Sequence, residues 1–301
     1  MDLVGSPKAL RAWAIASLVA NMALIVTGGL VRVTGSGLGC STWPQCEPGS
    51  YVPHGDAPLH AYIEFGNRML TFVLVAVAIG TFVAAWKARD AAGRPVTRFR
   101  LLAGLAAAGI PAQAIIGGIS VLAQLEWWVV GLHLLPSLAL IMVCTVLVHE
   151  VHAAPPADAT VAARYAAWTV LVLGWVVMLL GVVVTGAGPN AGDADVARSG
   201  FDLTLVARLH AMAVWAVVIV IAVLAWLARR TPALFRATLL LLAVVALQGV
   251  VGYAQFFLGV PPALVALHML GTALFCAAVA NTWWLSRPKA ELSGSGSSIG
   301  E

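Results

Sequence analysis

The chain has 301 residues, of which 61% are hydrophobic and only 10% charged, and its mean hydropathy is +0.94. Soluble domains carry about 25% charged residues, so composition excludes a soluble domain and puts the chain in a membrane. The net charge of +4 reads as a topology signal rather than a nucleic-acid footprint, and no nucleic-acid partner is expected.

Eight apolar stretches are long enough to cross a hydrocarbon core of about 30 Å as helices of about 20 residues. The first, Ala12–Val31, follows only Lys8 and Arg11 and lacks a small-residue cleavage site, so no cleavable leader is expected. A Gly-rich loop follows, with Cys40 and Cys46 in Gly39-Cys40-Ser41-Thr42-Trp43-Pro44-Gln45-Cys46. Short spacing in an extracytoplasmic loop points to a disulfide. A metal site shared with His54 and His60 is the rival, but C-x5-C misses the usual zinc spacing. A redox-active disulfide is hard to separate from a structural one in sequence, and simple stapling of a loop over the site is the favoured reading.

The second stretch, Ile63–Ala85, carries Glu64, Asn67 and Arg68 at its outer end, with His60 just before it. The third, Leu101–Leu122, holds Gln113 and Gly117, and the fourth, Trp127–Leu147, holds His133. His149 and His152 flank Glu150 at its inner edge and read as interfacial residues. The fifth is Tyr165–Val184, and the sixth, Leu205–Leu227, holds His210 next to Arg208. The seventh, Leu234–Phe257, holds Gln248 and Gly252, and the eighth, Pro262–Leu285, holds His268. Leu292–Gly300 is Gly/Ser-rich and reads as a disordered tail.

Gln113, Gly117 and His133 recur as Gln248, Gly252 and His268 with the same internal spacings, so the chain contains a duplication. The halves are 1–150 and 160–288, with a tail at 289–301. Thirteen basic residues, from Lys8 to Lys289, fall at one end of the helices. Only Arg32, Arg68, Arg198 and Arg208 fall at the other. The positive-inside rule makes both termini cytoplasmic. Each half has four spans and enters and leaves on one side, so the repeats are parallel. The expected fold is all-α: a polytopic membrane protein of eight transmembrane helices in two parallel four-helix repeats.

His133, His210 and His268 each lie five or six residues into a span that runs inward, roughly 9 Å from its outer end. An ionisable residue inside an apolar helix is expensive, and marks a site by default. Imidazoles at one level on different helices of a bundle suit haem, whose iron takes two axial ligands on opposite faces. His210 and His268 would pair in the second half. Arg32, Arg68 and Arg208 lie beside this outer layer and suit propionates, since a guanidinium binds a carboxylate through two N–H groups. The plainer alternatives are interhelical hydrogen bonds for the histidines and headgroup anchoring for the arginines.

Several motifs together resemble the haem A synthase family, most of all its actinobacterial branch. They are Gly28-Gly29-Leu30-Val31-Arg32-Val33-Thr34-Gly35-Ser36-Gly37-Leu38-Gly39-Cys40 with Trp43-Pro44-Gln45-Cys46; Glu64-Phe65-Gly66-Asn67-Arg68; Gly117-Gly118 before His133; and Val184-Thr185-Gly186-Ala187-Gly188. The resemblance runs from about Ala12 to Leu285. It implies oxidation of the C8 methyl of haem O to the formyl of haem A, for haem-copper oxidases. It implies haem b held by His210 and His268, a substrate haem held by His133, a catalytic role for Glu64, and the cysteine pair at Cys40 and Cys46. A haem O synthase is the implied neighbour, and the electron donor is unassigned. In one respect the chain departs from the family. Asn67 stands where many members have a histidine ligand. Either His60 substitutes, or the substrate iron has one protein ligand. His60, Glu64 and Asn67 share a face if helical structure begins that early.

Two other readings compete. A bis-His dihaem cytochrome b-like quinol electron carrier explains the histidines and the duplication, but not Glu64 beside a half-site lacking its matched histidine. A transporter predicts broken helices and polar groups near the midplane, where the sequence has no such cluster.

Overall fold

A computed structural model describes residues 6–153 and 156–288. It consists of eight helices, all long and apolar enough to cross a membrane, with no strand among the described residues. They are α1 (Pro7–Val33), α2 (Leu59–Lys87), α3 (Thr97–Leu122), α4 (Trp127–Val151), α5 (Val161–Ala187), α6 (Leu203–Ala228), α7 (Pro232–Phe257) and α8 (Pro262–Leu285). Every expected span lies within its helix. The tail expected at 289–301 lies outside the described residues.

Helices dominate because lipid offers no partner to backbone N–H and C=O groups, which must be satisfied within the segment. Their starts are marked locally. Ser6 accepts from Ala9 N at 3.1 Å with Pro7 behind it, and Asp202 accepts from Leu205 N at 2.6 Å. Pro232 and Pro262 open α7 and α8, where a missing N–H costs nothing.

The start of α2 differs most from the apolar pattern. The helix begins at Leu59, behind Pro58, and so includes His60. His60, Glu64 and Asn67 therefore do share a helical face. Hydropathy discounts this polar turn, whereas the structure gives it partners: His60 Nδ1 lies 2.9 Å from Ser36 Oγ, and Glu64 Oε2 accepts from Cys40 N at 2.7 Å.

Packing divides the helices into two rings. In the first, α1 meets α2, α2 meets α3, α3 meets α4, and α4 returns to α1. In the second, α5, α6, α7 and α8 close in the same way. The rings touch through α1–α8, α4–α8 and α4–α5. A large apolar core runs through the second ring and this seam, including Leu138, Ile141, Met178, Val217, Ile221, Leu241, Phe275 and Val279. A smaller core, around Leu10, Phe99, Leu147 and Val151, closes the basic end of the first ring.

That basic end holds a polar network where the sequence suggests only interfacial residues. Arg98 of α3 pairs with the buried Glu150 of α4, and its guanidinium carbon sits 5.5 Å from the centroid of the Trp284 ring. His149 meets Asn281 at 2.8 Å and stacks on Trp284 at 5.8 Å. Removing one partner of a buried pair strands the other, so Glu150→Ala is expected to cost on the order of 3 kcal/mol. Thermal unfolding in detergent checks this, against a change of under about 0.5 kcal/mol for an ordinary surface substitution.

Candidate functional site

At the opposite end, three helix pairs share one construction. His133 on α4 faces Gly117 on α3, and a Cβ at that glycine would lie 3.1 Å from the imidazole Cε1. His210 on α6 faces Gly181 on α5 at 3.4 Å, and His268 on α8 faces Gly252 on α7 at 3.5 Å, measured the same way. Each ring is half-buried and lies against a bare glycine backbone.

The duplication extends to hydrogen bonds. Gln248 Nε2 donates to the His268 carbonyl at 2.9 Å, and Thr272 Oγ1 donates to that carbonyl at 2.9 Å. In the first ring, Ser137 Oγ donates to the His133 carbonyl at 2.9 Å. Gln113, with its amide nitrogen toward α4, lies 2.9 Å from both the His133 carbonyl and Nδ1. A glutamine on one helix thus holds the histidine-bearing turn of the next at two matched stations. The serine and threonine escaped notice in the sequence, although both stand four residues after a histidine. Gly181 escaped it too, because the Gln-Gly-His pattern is absent from α5 and α6.

The α1–α2 station is built differently. Asn67 lies at the depth of the other imidazoles, eight residues from the start of α2, and its buried Oδ1 has no hydrogen-bond partner. His60 sits in the first turn, exposed, and is tied to the loop through Ser36. Glu64, between them, is buried. Its oxygens accept from Cys40 N at 2.7 Å and from Arg68 at 2.5 Å.

The first outer loop is fastened over this station. Cys40 and Cys46 form a disulfide, both buried, with Cα atoms 4.3 Å apart. Arg68 donates to the carbonyls of Thr42 and Gln45 at 3.2 Å and of Cys40 at 3.5 Å, as well as to Glu64. Its five N–H groups are therefore engaged. Gly39 passes so close to the His60 carbonyl that no Cβ fits there. Arg32 reaches across to the second ring, donating to Asn190 O at 2.6 Å and Thr185 O at 3.1 Å. Gly37 N adds a bond to Gly192 O at 2.8 Å. The loops of the two rings are thus bound together. Of the three outer arginines, Arg32 and Arg68 act as fasteners of loop carbonyls, while Arg208 lies exposed on α6.

The donor set fits haem. Two imidazoles, His210 and His268, lie on different helices of one four-helix ring. The buried Nδ1 atoms of His210 and His268 have no protein partner, while the His210 ring also meets the Val177 backbone of α5. Among the described residues, no three His, Cys, Asp or Glu side chains converge on a common point. The cysteines expected as rival zinc ligands are spent on each other. His54 bonds Ser50 in the exposed loop at 2.8 Å, and Cys144 and Cys276 are buried and free.

Residues 11–204 match the model of the family described as COX15-CtaA, cytochrome oxidase assembly protein. The chain belongs to the COX15-CtaA family. A relative named Heme A synthase, from Lysinibacillus sphaericus (strain C3-41), is 30% identical over 182 residues, 58% of this chain and 57% of its own. Another of that name, from Geobacillus kaustophilus (strain HTA426), is 28% identical over 148 residues, 48% of this chain and 45% of its own. A Protoheme IX farnesyltransferase from Chloroflexus aurantiacus (strain ATCC 29366 / DSM 635 / J-10-fl) is 32% identical over 101 residues, 34% of this chain but 16% of its own. The chain spans about half the length of the curated Heme A synthases it matches. The COX15-CtaA match contains Glu64, the cysteine pair and His133, and ends before His210 and His268. His268 rests on the internal repeat, and both rest on the glycine-backed placement of their rings.

Proposed function

We propose that this member of the COX15-CtaA family is a haem A synthase, an oxidoreductase that converts the C8 methyl of haem O to a formyl group. The observation that carries the reading is the repeated station: a glutamine on one helix holding the imidazole-bearing turn of the next, once in each ring. Only the first ring adds a buried carboxylate and a disulfide loop. Two stations with one elaborated support a substrate site beside a permanent redox group, rather than two equal electron carriers.

On this reading His210 and His268 hold haem b, which supplies one-electron transfer when bound. His133 holds the substrate haem O. Gly117, Gly181 and Gly252 let each imidazole lie against bare backbone. Arg208 is the propionate partner of choice, since Arg32 and Arg68 are committed to the loops. Asn67 is a poor iron ligand, and His60 is too near the helix start to share the depth of His133. The substrate iron then has one protein ligand, on the α4 side. Two successive hydroxylations of the methyl, each consuming dioxygen, two protons and two electrons from an external donor and releasing one water, give a geminal diol. Loss of water leaves the formyl group. Glu64 sits where it can hand on the protons that these steps consume. The basic end faces the cytoplasm and the haem layer the outer side of the cell membrane. The expected supplier of haem O is a farnesyltransferase, in keeping with the name of one relative.

The test is pigment extraction from cells that make haem O, with and without this protein. Haem A should appear only with it. Haem O unchanged in its presence would sink the proposal.

The loop yields a separate prediction. Cys40→Ser with Cys46→Ser should leave the haem b of the second ring intact. A loop that merely covers the site predicts weaker haem O retention with turnover partly kept. A redox role predicts turnover lost with haem O still bound. Pigment content and turnover, measured on one preparation, separate the two.

A further inference from the structure

At the basic end, a cavity of about 360 Å³ opens between α3, α5 and α8. Three guanidiniums, Arg98, Arg164 and Arg287, line it, and no carboxylate among the described residues does. Glu150, paired to Arg98, is not one of the lining residues. Trp168 and Trp283 form an edge-to-face pair at 5.4 Å beside it. The indole N–H of Trp283 is buried and has no hydrogen-bond partner. Arg164 has no ion pair among the described residues. Positive charge and two indoles border a space the mechanism does not use.

We propose that this cavity binds the phosphate of an anionic phospholipid. Guanidinium forks match phosphate oxygens, and basic pockets between helices at the cytoplasmic face suit such headgroups. The cavity also has an exit suited to acyl chains. Along α5, Tyr165, Trp168, Val172, Val176 and Leu179 are all exposed. Their spacing puts them on one stripe, running from the cavity toward the opposite end of the helix. A phospholipid can use both the arginines and the adjoining stripe, whereas a free phosphate uses the arginines alone. The indoles flank the headgroup level, as tryptophans do at membrane interfaces.

The experiment is native mass spectrometry of the full chain in detergent, titrated with phosphatidylglycerol, phosphatidylcholine or inorganic phosphate. Phosphatidylglycerol should bind as a discrete adduct, at least about tenfold more tightly than phosphatidylcholine. Arg164→Gln combined with Arg287→Gln should remove that preference, and Arg164→Lys should keep most of it. Arg229→Gln, a basic-end change elsewhere, should leave it unchanged. An unaltered thermal transition establishes that each variant is folded. Equal affinity for the two lipids, retention in the double variant, or equal loss in the Arg229 variant would overturn the proposal. So would displacement of the lipid by equimolar inorganic phosphate.

Discussion

His268→Leu is expected to abolish the low-spin haem b absorbance of the purified protein, and His210→Leu to do the same. Both imidazoles belong to the α5–α8 unit, and each lies against a glycine on the preceding helix. Loss of a supporting group alone costs about 10–100-fold in metal affinity, so loss of an axial ligand should exceed that. Leucine suits an apolar helix, and helical content should be unchanged. His149→Leu, at the basic end, should keep the haem. An unaltered spectrum in both the His210 and His268 variants would reject the assignment.

Glu64→Gln is expected to lower formyl production by about a hundredfold or more, a common scale for removal of a positioned acid–base group, with haem b retained. Glu64 also fastens the loop, through Cys40 N and Arg68, so loss of activity alone does not separate chemistry from architecture. Arg68→Gln supplies the separation. It breaks the same ion pair and releases the loop carbonyls, yet keeps the carboxylate. An acid–base role predicts substantial turnover in the Arg68 variant and almost none in the Glu64 variant. Equal losses in the two would assign Glu64 to the loop alone. Normal haem A yield from Glu64→Gln would remove it from the reaction.

The fold was legible because lipid imposes a length on each element. α8 coincides with its apolar stretch, from Pro262 to Leu285. The start of α2 was not legible by hydropathy, since its first turns hold polar residues whose partners lie more than 20 positions away, at Ser36 and Cys40. The repeat was legible as a pattern of residue types. What the pattern could not say is that Gln248 holds the His268 carbonyl, because a spacing of 20 residues fixes no contact between helices.

The outer arginines were the hardest to read. An arginine at a helix end looks the same in sequence whether it meets lipid, propionate or carbonyl. Arg32 meets the loop of the other ring and Arg68 meets its own loop, and both outcomes depend on the tertiary course of Gly-rich segments. Similarly, Glu150 beside His149 and His152 read as an interfacial cluster. The approach of Arg98 from α3 turns it into a buried ion pair.

The most direct measurement is the mass of the haems released from protein purified from cells that also make haem O. The account predicts haem b together with a farnesylated haem, as haem O, its hydroxylated form or haem A, in about equal amounts in the wild type. His133→Leu should lose the farnesylated species and keep haem b. Two equivalents of haem b and no farnesylated haem would contradict the account and favour an electron carrier.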